Sequence, residues 1–389
     1  MNVLVVAPHF PPDKTVGAVR MASLVRYLVK TEKVSVLTNI KDSDFPIEGI
    51  AYTCVELLAK GRSFARFKEN QKRYCNAFLE LCEKEKFDVV IVSGGPFFTF
   101  EIAVKAKKCG VPCILDYRDP WSFDYRDFKS FFAPKILIER LWELPMEHRA
   151  VKAAKKVVTV TPGWVKTFWR MYPLQKNKFM LIENGYDDEL LKGIDLVASR
   201  DGTEKFTIGV FGKAFYYTEK YSKIFLSGLR EYQNDIELVQ IGNKENNADA
   251  LLSESGLSPE VLVTTGFMNY EEGIRSLNRA DAFVIIDVRK SAIGTKIYDY
   301  IYLNKPIIYV GPPNTSFAEM VSSFTNGFVC SNSKEVNSAI KTLKLQSIST
   351  LEVGDRSTAY ARSEQNKKWV KLLKETVNQT KEKKSDGKG

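Results

Sequence analysis

Short apolar runs alternate with longer amphipathic segments through most of the chain. In the first half, runs rich in β-branched residues predict strands at Asn2–Ala7, Val34–Thr38, Ala51–Glu56, Asp88–Ser93, Pro112–Asp116, Val157–Thr161 and Phe179–Glu183. Helical periodicity between them predicts helices at Gly17–Thr31, Arg62–Lys86, Phe97–Cys109, Pro134–Ala154 and Pro162–Met171. Uninterrupted apolar runs such as Val89–Val92 are typical of strands that a parallel sheet buries on both faces. The pattern therefore predicts a doubly wound α/β domain.

The alternation stops after Glu183 and restarts at Phe206, and the polar, irregular residues 184–205 between them are typical of a linker. Further strands are predicted at Phe206–Phe211, Ile236–Ile241, Val261–Thr265, Ala282–Asp287, Pro306–Val310 and Gly327–Cys330. Four parts are therefore predicted: a Rossmann-like domain at 1–185, a second at 186–355, a helix at 356–380 that returns to the first domain, and a mobile polar tail at 381–389. The cleft between the two domains is the expected site, because ligands bind beyond the carboxyl ends of parallel strands.

The composition is that of an ordinary globular protein, with 44% hydrophobic residues among 389. No segment approaches the roughly 20 apolar residues that a transmembrane helix needs. The N-terminus has the pattern of a core strand rather than of a signal peptide, which predicts a cytoplasmic protein. Six dispersed cysteines and only two histidines, His9 and His148, exclude a histidine-rich metal site.

The net charge of +10 is concentrated in two segments. Residues 59–73 and residues 366–389 each carry a net charge of +5, so the remaining chain is neutral. A nucleic-acid-binding protein is expected to have a broader basic surface, and we predict no nucleic-acid partner. Each basic segment is either a surface contact or a solvated helix face.

Two junctions between a strand and a glycine are candidate anion-binding sites. The first strand leads through a proline-rich loop to Gly17, where a helix is predicted to begin, and helix N-termini bind anions. This loop lacks the three-glycine spacing of dinucleotide-binding folds, which argues against a dehydrogenase; a simple tight turn is the alternative. After the strand Phe206–Phe211, Gly212 and Lys213 can approach and neutralise a diphosphate, with a merely solvated lysine as the alternative.

A third candidate is the predicted helix start around Gly294. Gly294 and Thr295 can begin a helix whose first N–H groups bind phosphate together with Lys296. Asp299 lies three residues beyond Lys296 on the same helix face, at an offset suited to ribose hydroxyls. The alternative is that Asp299 pairs only with Lys296.

Four segments, in the expected order, resemble the glycosyltransferase family 4 type of GT-B enzyme. They are the loop from Phe10 to Arg20, Asp116–Trp121, Asn184–Asp187, and Gly294–Ile301 with the following Lys305 and Pro306. The resemblance implies a GT-B fold, in which two Rossmann-like domains face each other across a cleft. Two departures concern the donor. Ser291 occupies the position of the first of two family glutamates and Asp299 that of the second, and a serine cannot supply a carboxylate to the sugar.

The resemblance also implies a retaining transfer of a hexose-type sugar from a UDP- or GDP-sugar, without a metal or any other cofactor. The donor-binding residues are then Gly17, Gly212, Lys213, Gly294, Thr295, Lys296 and Asp299. The acceptor-side residues are His9, Arg118, Asp119 and Trp121. Lys213 and Lys296 would stabilise the leaving diphosphate, and Asp119 would act on the acceptor hydroxyl as base or orienting group.

Aromatic residues are dense between Trp121 and Pro145, and the basic segment Arg62–Arg73 precedes them. Together they predict contact with an anionic membrane surface, with packing inside the protein as the alternative. We therefore expect a lipid-linked or saccharide acceptor in the assembly of cell-surface polysaccharide, whether lipopolysaccharide O-antigen, capsule or exopolysaccharide. Peripheral association with the inner face of the cell membrane would follow.

Two other functions fit the same architecture. A GT-B-fold sugar-nucleotide epimerase would need carboxylates and histidines around the sugar, and the predicted cleft is poor in both. A degenerate GT-B subunit that binds nucleotide and activates a partner is favoured by Ser291. Transfer or hydrolysis of a sugar nucleotide by the isolated protein would argue against the second of these.

Overall fold

The alternating strands and helices fold into two parallel sheets. A computed structural model of the chain describes residues 1–40, 47–58, 64–122, 134–194, 196, 205–345 and 356–386. The chain divides into two units. Their bounds are Met1–Asn184 with Arg362–Gly389 for the first unit, and Gly185–Ala361 for the second. Each unit is built around one sheet.

Seven parallel strands form the sheet of the first unit, in the order β3-β2-β1-β4-β5-β6-β7. Their bounds are β1 (Asn2–Val6), β2 (Lys33–Thr38), β3 (Ala51–Cys54), β4 (Val89–Ser93), β5 (Cys113–Arg118), β6 (Lys156–Thr159) and β7 (Phe179–Leu181). The central strands β1 and β4 are almost wholly buried, because helices cover both faces of a doubly wound sheet.

The helices of the first unit fall between these strands. Their bounds are α1 (Val16–Leu28), α2 (Phe64–Lys84), α3 (Glu101–Lys108), α4 (Pro134–Ala153) and α5 (Pro162–Met171). The single helix predicted at Phe97–Cys109 is instead a 3₁₀ turn, Phe97–Phe100, followed by α3. Of the basic segment predicted to begin a helix at Arg62, residues 59–63 lie outside the described residues.

Six parallel strands form the sheet of the second unit, in the order β10-β9-β8-β11-β12-β13. Their bounds are β8 (Phe206–Phe211), β9 (Ile236–Ile241), β10 (Leu262–Thr264), β11 (Ala282–Ile286), β12 (Ile307–Val310) and β13 (Gly327–Cys330). The helices are α6 (Asp188–Leu191), α7 (Glu219–Leu229), α8 (Ala248–Glu254), α9 (Tyr270–Leu277), α10 (Lys296–Leu303), α11 (Ser316–Val321), α12 (Ser333–Leu345) and α13 (Arg356–Ala359).

The second sheet separates two apolar cores. Successive residues of β11 point to opposite faces, so Phe283 and Ile285 lie in one core while Val284 and Ile286 lie in the other. This is the arrangement that uninterrupted apolar strands predict. All thirteen predicted strands are present, and the doubly wound α/β prediction is confirmed.

The last helix, α14 (Arg362–Asp386), is grouped with the first unit. Its Trp369 and Leu373 share a core with Val3 and Leu24. The helix runs to Asp386 through residues whose polarity predicts a mobile tail, because Lys and Glu are strong helix formers. The short helix α13 belongs to the second unit, so that unit extends to Ala361 rather than ending at residue 355.

Candidate functional site

Glycines follow four of the six strands of the second sheet at their carboxyl ends. They are Gly212 after β8, Gly242 after β9, Gly266 beyond β10 and Gly311 after β12. The first three have positive φ, which favours glycine over any residue with a side chain. A Cβ added to Gly212 or Gly266 would meet nothing within 4 Å. The backbone at this edge is therefore open to a ligand, as expected for the ligand-binding edge of a parallel sheet.

A carboxylate and an amide hold the loop that follows β8. Glu245 accepts hydrogen bonds from the backbone N–H of Phe215, at 2.8 Å, and from Nε2 of Gln240, also at 2.8 Å. Gln240 in turn donates to the carbonyl of Gly212 at 3.0 Å. These bonds fix the backbone around Lys213, so the loop is preorganised to present that residue.

The structure brings the two predicted phosphate-binding lysines together. Lys296 is the first residue of α10, and its Nζ donates to the carbonyl oxygen of Lys213 at 3.1 Å. The Lys213 ammonium lies 3.9 Å from the centre of the Tyr216 ring, in a cation–π contact. Both cations thus lie at the same edge of the second sheet.

Burial sets the protonation of Lys296. Burial and, to a smaller extent, the charge of the nearby Arg289 lower the pKa of this ammonium to about 8, against the opposite effect of the Asp287 and Glu245 carboxylates. Lys296 is therefore charged at neutral pH but loses its proton more readily than an exposed lysine. A phosphate placed beside it would favour the charged form.

Sequence reasoning missed an arginine at this edge. Asp287 follows β11, is only 1% exposed, and binds the Arg289 guanidinium through Nε–Oδ2 at 3.0 Å and Nη2–Oδ2 at 2.6 Å. A Cβ on Gly294 would lie 3.4 Å from Nη2 of Arg289, so the guanidinium lies beside the predicted phosphate-binding glycine. The sequence did hold a signal: an acid directly after an apolar strand, with an arginine two residues later.

The remaining predicted donor residues lie on α10. Thr295 occupies the N-cap position with helical backbone angles and makes no capping bond through its side chain. Asp299 accepts a 2.6 Å hydrogen bond from the hydroxyl of Tyr270 on α9. The hydrogen bonds of Lys296 and Asp299 therefore lead to different partners, and the alternative of a simple Lys296–Asp299 pair is not what the structure shows.

In the first unit, the predicted residues Gly17 and Arg118 are in contact. A Cβ on Gly17 would lie 2.5 Å from Cζ of Arg118, so only glycine lets the guanidinium approach the start of α1. Arg118 has a φ of 50° and donates to the carbonyls of Gly94 and Gly95. Burial lowers its pKa. The next residue, Asp119, is exposed at the carboxyl end of β5.

Arg20 and Asp116, which lie in the segments that carry the family resemblance, are buried and paired. Two guanidinium–carboxylate bonds of 3.2 Å join them. Arg20 also donates to the carbonyls of Ile182, at 2.8 Å, and Glu183, at 2.7 Å. These contacts tie α1 to the carboxyl ends of β5 and β7, so the pair is structural.

Trp121 is a core residue of the first unit. It is 8% exposed and stacks on Phe97 at 5.4 Å and on Phe67 at 5.8 Å. Its indole packs among aromatic rings, and Asp119 is the exposed member of that segment. The acceptor-side role of Trp121 stays a prediction. Of the aromatic residues between Trp121 and Pro145, those at 123–133 lie outside the described residues.

A buried carboxylate, also missed from sequence, holds the loop after Asp119. Glu147 on α4 accepts hydrogen bonds from the backbone N–H of Ser122, at 3.1 Å, and from its hydroxyl. Burial raises the pKa of Glu147, and this effect is opposed by these hydrogen bonds and by one with Tyr117.

His9 pairs through Nδ1 with Asp13 at 2.7 Å, an arrangement that stiffens the loop before α1.

The described residues were also compared with the requirements of a metal site and of a transmembrane helix. Among the residues described, no group of three or more His, Cys, Asp and Glu side chains is placed to hold a metal ion. In the same part of the chain, no helix combines the length and the apolarity needed to cross a bilayer.

Comparison with known proteins identifies the fold. Residues 17–190 match the sequence model of Glycosyltransferase Family 4. A glycosyltransferase from Rickettsia africae ESF-5 has a TM-score of 0.65 at 12% identity, over 97% of this chain and 98% of that chain. HepE from Anabaena, solved with UDP and glucose, has a TM-score of 0.64 at 13% identity, over 96% and 100%. Sequence comparison with curated proteins gives no match.

A putative UDP-N-acetylglucosamine 2-epimerase from Listeria monocytogenes is also similar, with a TM-score of 0.63 at 13% identity over 97% of both chains. At such identities the likeness shows the fold. The chain has the GT-B fold, with two Rossmann-like domains, and resembles glycosyltransferase family 4. Both the predicted fold and the predicted resemblance are confirmed.

Proposed function

We propose that the protein is a retaining glycosyltransferase that moves a hexose-type sugar from a UDP- or GDP-sugar to a lipid-linked or saccharide acceptor. The observation that carries the proposal is the group of three cations, Lys213, Lys296 and Arg289, at the glycine-rich edge of the second sheet. A sugar nucleotide leaves as a diphosphate, and fixed cations stabilise the charge that develops on it.

The three cations are suited to that task because neighbouring groups hold each in place. Lys296 is anchored on the carbonyl of Lys213, Lys213 on the ring of Tyr216, and Arg289 on the buried carboxylate of Asp287. Little reorganisation is needed when a diphosphate arrives, and preorganisation of this kind lowers the activation barrier. We propose that Lys213 and Lys296 bind the phosphates, as the sequence predicts, and add Arg289 to them.

The nucleoside is proposed to bind along the same edge. Phe267 follows Gly266 and is 87% exposed, so its ring is accessible to a ligand at this edge of the sheet. We propose that its ring packs against the base and that Asp299 binds the ribose hydroxyls. UDP is the first nucleotide to test, because the HepE structure contains UDP.

No carboxylate replaces the family glutamate at Ser291 in this proposal. The departing phosphate itself takes the proton of the acceptor hydroxyl, so the protein supplies positioning and positive charge. Asp119, exposed at the carboxyl end of β5, is proposed to orient the acceptor hydroxyl. Neither a metal nor another cofactor enters the proposed reaction.

A lipid-linked acceptor is supported by an exposed apolar surface on the first unit. Phe64 at the start of α2 is 47% exposed, Leu141 on α4 is 77% exposed, and the rings of Phe64 and Trp142 lie 5.0 Å apart. The Lys68 ammonium lies 5.6 Å from the centre of the Phe64 ring. Apolar side chains with a basic fringe are typical of peripheral contact with anionic lipid. We propose that cell-surface polysaccharide assembly is the setting.

Liposome co-sedimentation tests the membrane contact. Phe64→Ser with Leu141→Ser should reduce pelleting with vesicles that contain phosphatidylglycerol, while pelleting with phosphatidylcholine alone should be weak for both proteins. Equal pelleting of the parent with both vesicle types, or no pelleting with either, would refute it.

The similarity to a putative 2-epimerase makes an epimerase the second candidate. The two functions are separated by incubating the protein with UDP-N-acetylglucosamine and with UDP-glucose, and recording proton spectra over time. Transfer or slow hydrolysis releases UDP with the sugar configuration at C2 unchanged. Appearance of the C2 epimer without UDP release would select the epimerase. A protein that binds UDP but changes neither substrate, even when a lipid-linked oligosaccharide acceptor is added, would be a binding subunit.

A further inference from the structure

A lysine-lined cavity lies at the opposite edge of the first sheet, where β5, β6 and β7 begin. Its volume is about 480 Å³. Five lysines from four separate segments line it: Lys107, Lys152, Lys155, Lys156 and Lys178. No Asp or Glu is among the described residues that line this cavity. Charge is therefore concentrated here by the fold, since none of the five lysines belongs to the basic segments 59–73 and 366–389, although Gln379 and Thr380 of the second segment also line the cavity.

Lys178 removes a feature that would otherwise repel an anion. Its ammonium donates to the carbonyls of Val151, Lys152 and Ala154, at 3.0, 2.9 and 2.7 Å. These carbonyls end α4, and the carboxyl end of a helix carries partial negative charge. With that charge satisfied, the cavity wall is left positive. Burial lowers the pKa of Lys178, and the neighbouring Lys107 and Lys155 lower it further.

The cavity is separate from the predicted sugar-nucleotide residues of the first unit. Lys155 and Lys156 lie at the start of β6, whereas Arg118 lies at the end of the neighbouring β5. A strand of six residues spans about 20 Å, and charges further apart than about 8 Å are screened at physiological salt. An anion bound here would not be the donor diphosphate.

We infer that this cavity binds a multiply charged, phosphate-bearing anion. A volume of about 480 Å³ lies within the usual range for small-molecule sites. Lysine ammonium groups bind phosphate as point charges, and here they surround the space from α3, α4, β6 and the turn before β7. The concave shape fits a discrete phosphate group. That group could be part of a soluble metabolite or the headgroup of a lipid.

The test uses inorganic tripolyphosphate as the soluble probe, titrated by calorimetry into the full chain with saturating UDP to occupy a donor site. The pocket variant carries Lys107→Gln and Lys155→Gln, two exposed lysines of the cavity. The matched control carries Lys334→Gln and Lys341→Gln, two exposed lysines of α12 in the second unit. The pocket variant should bind about tenfold more weakly, and the control should bind like the parent.

A vesicle assay identifies the source of the phosphate. Phosphatidylcholine vesicles with and without phosphatidylglycerol are pelleted with the parent, the pocket variant and the control. Loss of tripolyphosphate binding in the pocket variant supports a soluble anion. Loss of pelleting with the anionic vesicles alone supports a lipid headgroup. The inference is overturned if the pocket variant binds both probes as the parent does, or if the parent binds neither. Equal melting temperatures confirm that the variants are folded.

Discussion

Replacing Lys296 by glutamine tests the proposed diphosphate site most sharply. Its ammonium lies at the start of α10, 3.1 Å from the carbonyl of Lys213, in a position that burial has already partly desolvated. A charge-assisted hydrogen bond contributes about 1.5–3 kcal/mol. Since about 1.4 kcal/mol is a factor of ten in affinity, Lys296→Gln should weaken UDP or GDP binding about ten- to a hundred-fold at pH 7.

The same residue predicts a pH dependence with a definite sign. The pKa of Lys296 is lowered to about 8 in the free protein, and a bound diphosphate raises it because the charged form is favoured. Between the two pKa values, binding takes up a proton, so the dissociation constant increases by up to about tenfold per pH unit above pH 8. A terminal phosphate has a second pKa of about 6, so it is almost fully ionised above pH 8 and does not contribute in this range.

Calorimetric titration of UDP from pH 7 to pH 9.5 measures both effects. The parent should lose affinity above pH 8, Lys296→Gln should be weak and nearly independent of pH, and Lys296→Arg should keep the charge without the pH dependence. Lys334→Gln, an exposed lysine on α12, is the control for loss of one charge. The reasoning is refuted if Lys296→Gln binds like the parent, or if it retains the same dependence on pH.

Three other substitutions follow from the contacts of the two units. Gly17→Ala should reduce transfer at least about tenfold, because its Cβ would lie 2.5 Å from Cζ of Arg118; Gly193→Ala, whose Cβ has room, should not. Asp287→Ala should lower the free energy of unfolding by about 3 kcal/mol in urea denaturation, since it removes the buried carboxylate that binds the Arg289 guanidinium, and should weaken nucleotide binding as well. Glu147→Ala should lower the free energy of unfolding by about 2 kcal/mol, through loss of buried hydrogen bonds, whereas Glu147→Gln should lower it less because it keeps an acceptor. An unchanged urea denaturation curve for Asp287→Ala or for Glu147→Ala would contradict the structural role given to that carboxylate.

The fold could be predicted because the signal is local. Runs such as Val89–Val92 and Phe206–Phe211 are apolar on both faces, and only a parallel sheet between two helix layers buries such strands. The end of α14 could not be predicted from polarity alone, because helix propensity carries the helix to Asp386.

The donor edge could be predicted in part. Lys213 and Lys296 each follow a recognisable glycine at a strand end or helix start, and the structure places them in contact. Arg289 was missed because Asp287 is the last residue of the predicted strand Ala282–Asp287. The sequence pattern therefore gave no reason to pair Asp287 with Arg289. Cζ of Arg289 lies 4.2 Å from the centre of the Tyr217 ring, and Tyr217 comes from the loop after β8.

Long-range contacts are what the sequence does not show. Arg118 lies beside Gly17 in the structure, although about a hundred residues separate them in the sequence. The residues next to Gly17 in the sequence do not distinguish it from a glycine in a simple turn. Trp121 lies in a segment that predicts a binding role, but Phe67 and Phe97, which come from other parts of the chain, pack against its ring. The lysines of the cavity at the start of β6 are dispersed for the same reason.

The most direct test of the central claim is the fate of a sugar nucleotide in the presence of the purified protein. A panel of UDP- and GDP-sugars is incubated with a polyprenyl-diphosphate-linked oligosaccharide, and nucleotide release and the anomeric proton of the product are followed by NMR. We predict release of the nucleoside diphosphate from one donor and a product that retains the anomeric configuration. With Lys296→Gln, both nucleotide release and product formation should be lost. Binding of UDP or GDP without cleavage of any sugar nucleotide, or inversion of the anomeric centre, would contradict the account.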